Sequence, residues 1–206
     1  IRACVTLRHG IRPVRVRVLT RLDGTDVIER ALEVENMGAT DAALSSLSPM
    51  AGGLQQVSIN RQRVLPGEGM YRLGYMRSST WGDEGNFGWV DLPDAGYAVY
   101  GRYRRDRHRH PMFVLENRLT GECFVAQFAW SGGYAFEFDL NLERQGSAQL
   151  SMDIRIDAPG PLRVLAPGEA YKGPAVHFGM VFGGLDPAIQ AMHDHIRRSV
   201  FLPPTR

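Results

Sequence analysis

Lysine is all but missing from this chain. Lys172 is the only one, and the other 23 of its 24 basic side chains are arginines. Against 22 acidic residues this leaves a formal charge of +2. So small an excess gives no extended basic face, and no nucleic-acid partner is expected. The arginine bias fits the base composition of a source genome better than a function. Long apolar runs are also missing. None approaches the ~20 residues that a bilayer-spanning helix needs, and the N-terminus lacks the basic-then-apolar layout of a signal peptide. A soluble chain with no membrane partner and a cytoplasmic location is expected. It opens on Ile1 with no initiator methionine, which reads as a fragment or a trimmed product.

Cysteine is scarce as well. Cys4 and Cys123 are the only two, so one disulfide is the maximum. Cys123 sits in the strand-like run Glu122 to Phe128, where a thiol behaves as a small apolar residue, and two free thiols are expected. No cysteine and histidine spacing matches a zinc site. His108 and His110 stand two apart, and His193 and His195 recur near the end. Without carboxylate or cysteine company all four read as non-metal. No internal repeat or low-complexity tract is present, and 206 residues with 44% apolar content suit one substantial core rather than two.

What the chain has in quantity is alternation. In the stretch from Gly24 to Gly38, Ile28, Leu32 and Val34 share one parity and Glu29, Glu33 and Glu35 the other, the period of a half-buried antiparallel strand. Val14, Val16 and Val18 alternate with Arg15 and Arg17, and the Asp23-Gly24 turn makes a hairpin with the following strand. Tyr134, Phe136, Phe138, Leu140 and Leu142 alternate with Glu137, Asp139 and Asn141. They turn through Gln145-Gly146-Ser147 into Leu150, Met152, Ile154 and Ile156. Met112 to Asn117 and Glu122 to Trp130 are joined at Leu119-Thr120-Gly121, and Val176 to Phe182 follows. Many short strands with glycine and proline turns predict an all-β, two-sheet antiparallel sandwich over 1–185. One helix is predicted over the next residues, capped by Asp186, with Pro187 in its first turn and Ile189, Met192, Ile196 and Val200 on one face. It closes the domain, and the prolines at 203 and 204 turn the end of 186–206 into a linker.

The stretch from Tyr71 to Tyr100 reads as a glycine-rich loop packed with Tyr71, Tyr75, Trp81, Phe87, Trp89 and Tyr97. Exposed aromatic rings stack on sugar faces, while Arg77 and Asp83 can reach hydroxyls. Tyr75, Arg77, Trp81 and Trp89 are therefore the candidate substrate-binding residues. The competing reading is that these rings only fasten a long loop to the sandwich. The run from Arg102 to His110 resembles a phosphate-binding patch but is better read as a solvated loop.

Four places together resemble the N-terminal β-supersandwich domain of family 36 glycoside hydrolases, the α-galactosidases and their relatives. These are "Asp-Val-Ile-Glu-Arg" at 26–30 with Glu35-Asn36-Met37-Gly38, the segment His110-Pro111-Met112-Phe113, and Glu122 to Gly132 ending Trp130-Ser131-Gly132. The fourth is Leu165-Ala166-Pro167-Gly168-Glu169 with Pro174 and Gly184-Leu185. The likeness runs from about Leu7 to Phe201. It implies a large galactose-mutarotase-like supersandwich ahead of an absent (β/α)8 barrel. That barrel supplies the two catalytic aspartates of a retaining hydrolase, so no catalytic residue and no cofactor is assigned here. The chain begins late against the family pattern, so first strands are expected to be missing or shortened. In the family a tip of this domain reaches the sugar pocket, sometimes of a neighbouring subunit, with an aromatic ring. Here Gly74-Tyr75-Met76-Arg77-Ser78 has methionine where tryptophan is usual, leaving Trp81 or Tyr75 for that role. Trp81-Gly82-Asp83 is not the nucleophile segment.

Two functions follow as expectations. In the first, the chain is a non-catalytic module of an α-galactosidase-like hydrolase that packs on the barrel, shapes a cleft for an α-galactoside-type carbohydrate and helps form a homo-oligomer. The other is a free-standing carbohydrate-binding sandwich or a mutarotase-type epimerase. An epimerase needs a histidine and a carboxylate converging as acid and base, for example His177 with Glu137.

Overall fold

A computed structural model describes residues 1–58, 69–77, 82–83, 85–102, 109–142 and 147–201. Alternation becomes sheet almost everywhere the sequence shows it. The larger sheet runs in spatial order through β1 (Arg2–Arg8), β2 (Val14–Leu22), β3 (Val27–Asn36), β15 (Val176–Phe182), β10 (Glu122–Phe128), β9 (Met112–Asn117), β6 (Tyr71–Met76) and β7 (Phe87–Asp91). A short β14 (Ala170–Lys172) is also paired to β3. The second sheet is β5 (Met50–Ser58), β12 (Ser147–Ile156), β11 (Tyr134–Leu142) and β8 (Gly96–Gly101). A ribbon of β13 (Arg163–Leu165) and β4 (Ala42–Leu44) covers one end. Each strand pair is antiparallel. The predicted hairpins β2–β3, β9–β10 and β11–β12 are all present.

The core lies between the sheets. Phe113 and Leu115 of β9, Phe124, Ala126 and Phe128 of β10, and Tyr71 and Leu73 of β6 face Tyr134, Phe136, Phe138 and Leu140 of β11, with Leu150, Met152 and Ile154 of β12. The alternate residues of the same central strands are not solvent-facing. Val27, Met112, Val114, Cys123 and Val125 form a second buried layer with Ala188 and Met192 of helix α1 (Leu185–His195). Strands buried on both faces read as near-continuous apolar runs, which explains Met112-Phe113-Val114-Leu115 and Cys123-Phe124-Val125-Ala126.

The helix begins one residue before the predicted Asp186. Gly184 caps it at φ 91°, Asp186 stands in the first turn, and no side chain caps the amides. Positive φ is what glycine alone adopts without strain, so backbone geometry at Gly184 takes the place of the predicted Asp186 carboxylate cap at this entry. The helix loosens into a π turn at Ile196–Val200, with Val200 exposed.

The charged side of β2 and β3 carries a cross-strand ladder fixed by register. Arg15 is opposite Glu35, Arg17 opposite Glu33 and Arg21 opposite Glu29. The Arg15 guanidinium grips Glu35 through Nε at 3.0 Å, and Arg17 bridges Glu33 at 2.5 Å and Glu35 at 2.7 Å. Opposite charges directly across an antiparallel pair support the register, and a one-residue slip would break every rung.

Both thiols are free; Cys4 is exposed and Cys123 buried. Burial pushes the Cys123 thiol above its ordinary pKa, with Glu116 adding to it. A disulfide-exchange reagent is therefore expected to titrate one thiol in the native chain and the second only on unfolding. Two fast-reacting thiols under native conditions would contradict the packing of β10 beneath α1.

Candidate functional site

The stretch from Tyr71 to Tyr100 is built on three strands, β6, β7 and β8, and is not the predicted loop. That correction decides where its aromatics point. Tyr71 and Leu73 are core residues of the sandwich, and Tyr75 continues the same face. Gly74 and Trp89 pair across β6 and β7, so Trp89 lies on the opposite face, against the layer under α1. There Phe87 meets Trp89 edge-on at 5.5 Å and the Arg72 guanidinium covers the indole at 4.4 Å. A Cβ at Gly74 would come within 2.4 Å of Phe87 and 2.9 Å of Trp89, so only glycine lets these rings close over the strand.

On the Tyr75 face, polar side chains of β6 and β8 form the mouth of the sandwich. The Tyr75 and Tyr97 hydroxyls bond across it at 3.0 Å. Burial, then the bond to Tyr75, pushes the Tyr97 phenol up to about 12. Arg77 is exposed, lies along Gly88 and donates to the Trp89 carbonyl. Arg109 donates to the carbonyls of Arg77 at 3.1 Å and Tyr100 at 2.8 Å, tying β6 to β8. Of the four predicted residues, Tyr75 and Arg77 share a surface, Trp89 stands on the other side of the sheet, and Trp81 lies outside the described residues. Residues 103–108 of the basic run, His108 among them, are also outside them.

A second surface was not singled out from the sequence. The outward residues of β11 and β12 line a groove of about 440 Å³, bounded by Glu137, Asp139, Ser151 and Asp153, with Gly52 and Gly96 giving it depth at the two edge strands. It continues into a hollow of about 520 Å³ beside Asn141 and Gln149. Arg155 holds Glu137 through two bonds of 2.6 Å each, and the Tyr100 hydroxyl donates to the same carboxylate at 3.1 Å. Bonding from Arg155, opposed by burial, keeps the Glu137 carboxyl below its usual range. A carboxylate clamped in this way has no proton to give and presents its oxygens to a fixed guanidinium, which suits hydrogen bonding to hydroxyls and not acid catalysis. The signal for this surface was the odd-numbered polar set Glu137, Asp139 and Asn141. Nothing in the sequence showed that small residues on β5 and β8 would flank it.

His177 and Glu137 do not meet. Glu137 faces outward on the smaller sheet, whereas His177 is buried on the α1 side of the larger one, 2.8 Å from His195. The acid–base pairing that an epimerase requires is not formed by these two residues. Among the described residues no group of three or more His, Cys, Asp or Glu side chains is placed to hold a metal ion, and no helix is long and apolar enough to cross a membrane.

No protein-family model and no curated protein matches the chain. Solved structures do. The α-galactosidase AgaA from Geobacillus stearothermophilus superposes with a TM-score of 0.68 at 21% identity over 94% of this chain. AgaB from the same organism gives 0.68 at 21%, and the α-galactosidase from Lactobacillus brevis 0.67 at 15%. The fold is that of part of a family 36 α-galactosidase. This chain spans about a quarter of those enzymes, 26% of AgaA and 25% of the L. brevis protein.

The sandwich also gives the short motifs physical reasons. Asn36, 3% exposed, donates to the carbonyls of Thr40 at 2.8 Å and Leu165 at 2.9 Å and accepts from the Gly38 amide at 2.9 Å. Its backbone bonds Glu169 and Gly168. The Glu-Asn-x-Gly and Leu-x-Pro-Gly-Glu motifs, whose Asn36 and Leu165 are 129 residues apart in the chain, are thus two sides of one junction. Glu169 completes that junction by accepting from the Ala166 amide at 3.0 Å.

Proposed function

We propose that this chain is a non-catalytic N-terminal domain of an α-galactosidase-like retaining glycoside hydrolase, packing on a (β/α)8 barrel that carries the chemistry. One observation carries the reading: the fold is shared over 94% of this chain yet accounts for only 26% of an α-galactosidase. A barrel needs ~250 residues of alternating strand and helix, more than the whole of this chain. In this reading residues 1–185 form the sandwich, and 186–206 close it and lead toward the barrel. Tyr75 and Arg77 at the mouth are the residues offered to an α-galactoside, with Trp81 beside them in sequence, and Trp89 supports them from beneath the sheet. A homo-oligomer would place one subunit's mouth at another's pocket.

The purified 206 residues are expected to give no turnover of an aryl α-galactoside. Hydrolysis above the buffer rate, lost when Glu137 or Asp153 is replaced, would overturn the reading. Hydrolysis restored by adding a separately produced barrel would support it.

The outer groove favours a second reading, a carbohydrate-binding sandwich. Its Asp139, Asn141, Gln149 and Ser151 present the donors and acceptors that sugar hydroxyls use. Calorimetric titration with galactose and raffinose separates the two. Saturable millimolar binding that is lost in Asp139→Ala favours the binder, and none favours the scaffold.

A further inference from the structure

The end of helix α1 is fastened by a buried polar chain that the proposed function does not use. Asp23, in the turn between β2 and β3, accepts at Oδ1 from the Thr25 amide at 2.9 Å and the Thr25 hydroxyl at 2.6 Å. Its Oδ2 takes His195 Nδ1 at 2.8 Å and the Ser199 hydroxyl from the π turn. His195, the last residue of α1 and 1% exposed, places Nε2 2.8 Å from Nδ1 of His177 in β15. The two sequence gaps are 172 and 18 residues, so the chain of bonds joins the β2–β3 turn, β15 and the end of α1 across long stretches of sequence.

Proton counting follows from the geometry. An ionised carboxylate only accepts, so it fixes His195 Nδ1 as a donor. With both rings neutral, His195 Nε2 then has a lone pair, and His177 Nδ1 donates to it. One added proton leaves that bond intact, because one of the two facing nitrogens still has a lone pair. A second puts N–H against N–H at 2.8 Å and two cations with ring centroids 5.0 Å apart.

The surrounding charges balance only the neutral pair. Glu29 is opposite His177 in register, and Arg21 is opposite Glu29 and 3.5 Å from it. Gln127 on β10, the other neighbour of His177, is uncharged. Arg198 of the π turn lies over Gly24 in the Asp23 turn, while His193 and Asp194 of α1 are exposed. Asp23 and Glu29 are thus matched in number by Arg21, paired to Glu29, and Arg198, beside the Asp23 turn, leaving no spare negative charge for a doubly protonated pair.

We propose that Asp23, His195 and His177 form a pH-operated latch that holds the end of α1 and the π turn on the β2–β3 turn with up to one added proton, and releases them with two. Burial, helped by the charge of His195 and opposed by Glu29, lowers the pKa of His177, which delays the second step to acid pH. Release stops at Met192, because Met192 and Ala188 are fully buried in the apolar layer, whereas Ile196, the one side chain of the freed segment that packs there, is only partly buried. The residues freed are His193 to Phe201.

Amide hydrogen exchange of the full chain, corrected for intrinsic rates and followed from about pH 8 to 5, tests the latch. Protection in peptides covering 193–201 and 23–26 is expected to fall roughly tenfold or more, with β9 and β10 unchanged. His177→Gln keeps one donor for His195 Nε2 and cannot take the second proton, so its 193–201 protection is expected to stay level over that range. Ring nitrogen NMR of the parent chain should show the two imidazoles titrating in two coupled steps, with His195 Nδ1 protonated in both. Level protection in the parent chain, an equal fall in His177→Gln, loss shared by β9 and β10, or two independent titrations near 6.5 would each overturn the proposal.

Discussion

Phe113→Ala is expected to remove about 3–5 kcal/mol of unfolding free energy. Phe113 is 0% exposed at the centre of the sandwich. Its ring centroid lies 4.9 Å from Phe136 and 5.0 Å from Phe138 of the facing sheet, both edge-on, and 6.0 Å from Phe124 on its own. The alanine would forfeit the transfer free energy of the ring and leave a cavity walled by three phenyl groups and two sheets that cannot collapse onto it. Urea unfolding should show a lower midpoint at unchanged slope. A loss below about 1 kcal/mol would mean that the sheets do not meet at this ring.

Asp23→Ala is expected to cost about 3 kcal/mol, because His195 Nδ1 would be left buried without a partner, at about 1–3 kcal/mol, and the half-buried Ser199 hydroxyl would lose its acceptor as well. Acid does part of the same work. Burial raises the Asp23 carboxyl, but the bonds from Ser199, Thr25 and His195 outweigh it and hold the group well below the carboxylate range. A depressed acid contributes stability above its unfolded pKa of about 3.9 and loses it as pH falls. Glu35, gripped by Arg15, and Glu137, gripped by Arg155, have the same sign. His177 acts earlier. Its folded pKa lies below about 6.5, so the unfolded chain binds the proton first and stability falls as pH drops through that value. Urea midpoints should therefore decline in two stages, first below about pH 6.5 and again below about pH 4. Asp23→Ala should start lower and decline less in the second stage. Parallel declines in the two proteins would remove Asp23 from the acid limb.

The hairpins were legible because side chains of period two declare a face without reference to anything distant. Val14 to Val18 against Ile28 to Val34 reads correctly from the chain alone, as does Tyr134 to Leu142 against Leu150 to Ile156. The aromatic stretch was misjudged for the same reason. Glycines at 74, 88 and 96 look like loop punctuation, yet in the sheet Gly74 makes room for Phe87 and Trp89, and Gly88 for Arg77. A missing Cβ signals a close neighbour as often as a turn, and the neighbour is not adjacent in sequence. Trp89 and Tyr75 were read as one patch because composition does not say which face of a strand each ring takes relative to its pairing partner.

Sequence by itself determined that this chain is an antiparallel β protein with one closing helix and which strands form its hairpins, and it favoured two free thiols. These properties rest on local periodicity and turn chemistry. Only the tertiary structure decided that β9 and β10 are buried on both faces, that the arginines of β2 match the glutamates of β3 rung by rung, and that Asp23, His177 and His195 form one chain of hydrogen bonds. Those depend on register and layer packing between residues up to 172 positions apart, which no local pattern encodes.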